Sequence, residues 1–131
     1  MAWEGRSDGD YSFVANEDLS SQQYRFVVMH NDTNVRLPNA ETDYPIGILQ
    51  NAPESGETAE VRLYGVSKLV ANDAITVGTK LKMEYVSATD NGKADAADTD
   101  YDNVRAVALT AAGAEDDVIA ALLTTDTLMV A

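Results

Sequence analysis

The chain has 131 residues, with nine Lys and Arg against twenty-two Asp and Glu, a net charge of −13. That length fits one domain, and a hydrophobic fraction of 45% argues against intrinsic disorder despite the charge. Its basic residues are scattered from Arg6 to Arg105, so neither a phosphate backbone nor an anionic membrane surface is an expected partner.

The first fifteen residues read as an extended, acidic N-terminal arm, residues 1–15, carrying three spaced aromatics, Trp3, Tyr11 and Phe13. Such a segment is either a frayed terminus or a strap that orders on a partner with its aromatics as anchors. From Tyr24 the pattern becomes strands and turns. Tyr24 to Met29 is β-branched and aromatic, and Asn31-Asp32-Thr33-Asn34 ends it as a turn. Val35-Arg36-Leu37 stops at Pro38, and Ile46 to Leu49 is a short apolar run before a Pro- and Gly-bearing turn at 51–57. Glu60 to Tyr64 alternates. The clearest period of two is Lys80 to Tyr85, with Leu81, Met83 and Tyr85 on one face. An Ala- and Asp-rich stretch from Thr89 to Asp102, containing the Asn91-Gly92 turn signal, reads as an exposed loop. Val104 to Leu109 is another strand. Residues 113–124 fit either a short helix with an acidic first turn or a turn followed by a buried strand. Residues 124–131 form an apolar tail, ending in Leu128, Met129 and Val130, that pairs with the domain or with a neighbouring subunit.

Motifs for chemistry are scarce. There is no Cys, hence no disulfide, thiolate metal site or cysteine nucleophile, and the single His30 excludes multi-histidine sites. No apolar run approaches the roughly 18 residues of a membrane span, and the first residues lack the order of a secretion signal, so synthesis in a cytoplasm is expected. Phosphate loops and nucleophile elbows are missing. Asp98, Asp100 and Asp102 imitate the start of a calcium loop. The glycine and bidentate glutamate that such a loop requires are replaced by Asn103 and Leu109. No catalytic residue, metal or cofactor is expected, and the chain is not read as an enzyme.

One stretch is more specific. Tyr44-Pro45-Ile46-Gly47-Ile48-Leu49-Gln50-Asn51-Ala52-Pro53-Glu54-Ser55-Gly56-Glu57 leads into the alternating Ala59 to Tyr64, then Gly65 and Val66-Ser67-Lys68-Leu69-Val70. Val77-Gly78-Thr79-Lys80-Leu81, Asn91-Gly92-Lys93 and the Ala-rich Arg105 to Leu109 follow in the same order. Together, over residues 16–123, these segments resemble the capsid-cement (head-decoration) proteins of tailed bacteriophages. The resemblance implies a mainly β domain of β-tulip-like barrel or sandwich type, with at most one or two short helices. It also implies a virion protein that assembles as a homotrimer on the outer capsid surface. There it would bind the major capsid protein at threefold or quasi-threefold positions and stabilise the expanded head. On this reading Trp3, Tyr11 and Phe13 contact the capsid, while Leu81, Met83, Tyr85, Leu128, Met129 and Val130 are candidates for the trimer seam. Two other readings stay open: a carbohydrate- or receptor-binding β-sandwich displayed on a head, using Tyr64, Tyr85 or Tyr101 as a platform, and a small hydrolase or isomerase built on a carboxylate pair.

Overall fold

The computed structural model describes residues 9–98 and 102–127. Five strands, β1 (Asp10–Ala15), β2 (Phe26–Met29), β3 (Asn34–Arg36), β4 (Pro45–Leu49) and β5 (Thr58–Arg62), close into a barrel in the order β1-β3-β2-β4-β5. A second sheet takes β6 (Val66–Val70), β7 (Lys80–Met83), β8 (Ala94–Ala96), β9 (Asn103–Ala108) and β10 (Val118–Thr127) in the order β6-β10-β9-β7-β8. Among the described residues there is no helix. The expected mainly β fold is what forms.

Two cores explain why some strands read as unbroken apolar runs. Val27 and Leu49 point into the barrel with Ala15, Leu19, Val35, Ala59 and Val61. Their chain neighbours Phe26 and Ile48 point the other way, into a core shared with Leu69, Leu81, Met83, Ile119 and the small Ala106, Ala108 and Ala121. Successive strand residues face opposite sides, so a strand buried on both faces cannot alternate apolar with polar. β2 and β4 are such strands, and Phe26 sits opposite Ile48 in their pairing. Phe26→Ala should therefore cost about 3–5 kcal/mol, read as a lowered urea midpoint.

The turns follow local chemistry. Asn31 Oδ1 accepts from the Thr33 and Asn34 amides at 2.9 and 2.8 Å, closing the β2–β3 turn. Gly92 adopts φ +87° where the β7–β8 turn meets the barrel, and its carbonyl accepts from the Phe26 amide at 2.7 Å. A Cβ there would stand 2.7 Å from the Phe26 carbonyl, so the Asn91-Gly92 signal marks a docking point as well as a turn.

Three segments differ from the sequence reading. Residues 10–15 of the expected arm are β1, a barrel strand paired antiparallel with β5 from Asp10↔Arg62 to Val14↔Thr58 and parallel with β3 at Val14↔Asn34. Its polar alternation signals a strand with one wet face rather than a loose strap. Within the expected 89–102 loop lies β8, three residues paired with β7. The ambiguous 113–124 segment is a turn and then a strand. Asp117 Oδ2 accepts from the Gly113 and Ala114 amides at 2.8 and 3.2 Å, Asp116 takes φ +72°, and β10 begins at Val118. β10 then runs through Thr127 and absorbs the start of the expected tail.

Candidate interaction surface

β6 and β10 are neighbours in the second sheet, with Val118 opposite Val70, Ala120 opposite Lys68 and Leu122 opposite Val66. Their inward residues, Ser67, Leu69, Ile119 and Ala121, are buried. Directly opposed residues share a face, so the outward set is Val66, Lys68, Val70, Val118, Ala120 and Leu122, with Val107 of β9 beside Leu122. Antiparallel sheets with one solvated face usually make that face polar. Here it is an aliphatic stripe around one lysine. Val66, Val118 and Leu122 keep 49%, 52% and 41% of their surface exposed. Val66 and Leu122 lie opposite each other at one end of the stripe and Val118 stands at the other end, against Val70.

The residues singled out from the sequence fall elsewhere. Leu81 is fully buried and Met83 nearly so, both in the core between barrel and second sheet, with Tyr85 packed on that core from its rim. The exposed large aliphatics of the second sheet, Val66, Val118 and Leu122, lie on β6 and β10. Val118 to Leu123 is apolar at both parities, which is equally the pattern of a strand buried on both faces, so the sequence did not mark this set as outward. Phe13 packs against the barrel core, and Tyr11 is a neighbour of it on β1. Trp3, Tyr101, Leu128, Met129 and Val130 lie outside the described residues. His30 is exposed at the end of β2, and its amide donates to the Asn34 carbonyl at 2.7 Å. Asp98 and Asp102 face Lys82 Nζ at 3.3 and 3.2 Å. Among the described residues no group of three His, Cys, Asp or Glu side chains could hold a metal ion.

The remaining charge fixes loops. Arg36 grips Asp43 with two parallel bonds of 2.9 and 3.0 Å, and Asp43 also accepts from the Asn39 amide at 2.8 Å, pinning the loop before β4. Lys93, almost wholly buried, reaches Asp90 at 2.7 Å, Glu115 at 3.1 Å and Asp116 at 2.7 Å, tying the β7–β8 turn to the loop before β10. Burial alone would lower its pKa, but the bonds from Asp116, Asp90 and Glu115 outweigh that and hold it above the ordinary lysine value.

Comparison with known proteins decides the family. The family described as phage cement protein matches residues 7–123. The chain belongs to the phage cement proteins. Membership makes it a structural, head-associated protein of the virion. Among solved structures, the head fiber gp8.5 N base in bacteriophage phi29 is similar, with a TM-score of 0.67 and 18% identity. The alignment covers 92% of this chain and 97% of that one. At that identity the likeness is one of fold. No curated protein matches the sequence.

The ion pairs give this cement protein a defined acid response. The Arg36 bond holds Asp43 below the usual carboxylate pKa, and the Lys93 bond does the same for Asp90. A carboxylate whose folded pKa lies below its unfolded value near 3.9 stabilises the fold above that value and ceases to as pH falls through the folded pKa. Asp95, raised by burial, works in the opposite sense. Melting temperature should therefore fall as pH drops below about 4, the unfolded carboxylate value. Asp43→Asn should melt lower than the wild type at neutral pH and converge with it in acid. Parallel pH curves for the two proteins would refute the assignment to Asp43.

Proposed function

We propose that this cement protein binds the outer surface of the major capsid protein lattice at threefold and quasi-threefold positions and ties neighbouring subunits of the expanded head together as a homotrimer. The observation that carries the reading is the exposed aliphatic stripe of β6 and β10 on a member of a structural head family. A stripe of this kind supplies the apolar centre of a modest interface, and three linked protomers convert later contacts into intramolecular ones, so small patches add up to a tight clamp. The net charge of −13 fits an outer position, where DNA is never touched and free subunits stay dispersed. Residues 1–8, with Trp3, would add an adhesive segment leading into β1. No bond is made or broken in this role.

The test is to mix the purified chain with undecorated, expanded heads and image them, expecting density at threefold positions. Val66→Asp with Leu122→Asp should leave the circular dichroism spectrum unchanged and weaken decoration at least tenfold, since two carboxylates would be desolvated without partners (~1.4 kcal/mol per tenfold). Decoration at full strength by the double variant would remove the stripe from the interface.

A further inference from the structure

Arg36, Arg62, Lys82 and Lys93 each meet at least one carboxylate within 3.3 Å. Arg25 rests on the carbonyls of Thr89 and Asn91, in the field of Asp90 and Asp116. Arg105 does neither. It is only 4% exposed, yet it meets no carboxylate among the described residues. One Nη1 bond to its neighbour's carbonyl, Val104 O at 3.0 Å, is its only hydrogen bond there, and its buried Nε has no partner. In a chain with thirteen more acids than bases, a buried cation that meets no carboxylate among the described residues is unexpected. A buried guanidinium without counter-charge works against folding, and burial here pulls its pKa downward.

The surroundings are shaped for an incoming group. Arg105 lines a small cleft of about 30 Å³ between barrel and second sheet, with Pro45, Gly47, Leu63, Thr124 and Thr125. That volume holds the two oxygens of a carboxyl group. The Tyr44 ring lies over the guanidinium, 3.6 Å from ring centre to Cζ, and is itself 57% exposed. Tyrosine and arginine are among the residue types that dominate binding energy at protein interfaces.

We propose that this cleft receives one carboxylate side chain of the protein against which the chain docks, with Arg105 as its charge partner and Tyr44 as the wall that keeps water out. The assignment rests on the reading that this cement protein binds a capsid surface. A planar carboxylate matches the guanidinium fork, whereas a dianionic phosphate would meet a small opening in a strongly negative molecule. On this proposal the carboxylate that Arg105 lacks among the described residues arrives with the shell.

Two measurements test it. In the first, acetate is titrated against the free protein at constant ionic strength, with chloride as control, while the Arg105 Nε–H and Tyr44 ring resonances are followed by NMR. Saturable shifts with acetate alone are expected, and Arg105→Met should abolish them at the ring. Absence of shifts, or an Nε–H already paired to a carboxylate of this chain that acetate does not displace, overturns the proposal whether or not heads are bound. In the second, Arg105→Met should melt at or above the wild-type temperature while binding expanded heads at least tenfold more weakly, with a shallower salt dependence. A purely structural arginine would give a lowered melting temperature with unchanged binding, and that result also overturns it. Failure of the wild type itself to bind heads would instead remove the capsid reading.

Discussion

Gly47→Ala should lower the urea midpoint of unfolding far more than Gly113→Ala does. Gly47 lies on β4 where that strand passes β5, and a Cβ there would press into the carbonyl oxygen of Arg62, 2.9 Å from its carbonyl carbon and 3.0 Å from Val61 Cγ1. Backbone cannot swing aside as a flexible side chain can. The strands must separate, and Ile48↔Arg62 and Leu49↔Val61 are the two pairings that join β4 to β5. Overpacking of a core commonly costs 1–3 kcal/mol; backbone against backbone puts this substitution at about 3 kcal/mol or more, a large share of the roughly 5–15 kcal/mol that holds a domain folded. Gly113→Ala is the matched control. Its Cβ would meet only Asp117 Oδ2, at an ordinary 3.5 Å, and its urea midpoint should stay near that of the wild type. Equal midpoints for both variants would mean that β4 and β5 do not approach so closely.

Removal of residues 1–15 should abolish the fold, whereas removal of residues 1–8 should leave it intact and weaken attachment to heads. β1 closes the barrel. It pairs with five residues of β5 and with the end of β3, buries Ala15, lays Phe13 on the core, and sets Asp10 against Arg62 at 2.7 Å. Without it β3 and β5 become open edges on a half-exposed core, a state that invites aggregation. Far-ultraviolet circular dichroism and thermal melts of the two truncations separate strand from strap. A cooperative melt from the 16–131 chain at the wild-type temperature would show that β1 is dispensable.

The contrast between these truncations shows what was legible in the sequence. Lys80 to Met83 and Glu60 to Arg62 announced themselves because one face is wet, so their residues alternate. Tyr24 to Met29 and Ile46 to Leu49 announced themselves through β-branched or apolar runs, although only the two-core arrangement explains why they do not alternate. β1 was hidden by its composition. Asp10, Tyr11 and Ser12 are turn-like or polar, and their strand conformation comes from pairing with β5, forty-eight or more residues away. β8 was hidden the same way, three residues held by β7 within a stretch whose composition favours a loop. The exposed aliphatic stripe was legible only in kind. Cement family segments pointed to an adhesive protein, but whether Leu81 or Leu122 faced outward depended on which strand face packed on the barrel. Strand period alone leaves that choice open. Arg105 gave no sign at all, because the lack of a counter-ion is a property of three-dimensional neighbours.

Tyr24 bears on how such a molecule would carry load. At φ +66°, a conformation rare for an aromatic residue, its amide donates to the Leu49 carbonyl at 2.8 Å and its carbonyl accepts from the Val70 amide at 2.9 Å. One residue thus bolts β4 to β6, immediately before the strand whose Phe26 and Val27 fill the two interiors. A pull on the second sheet reaches the barrel through this rivet and through a partition common to both halves. Among the described residues the two sheets share the Phe26 and Ile48 partition, so under tension they should rupture together in a single event.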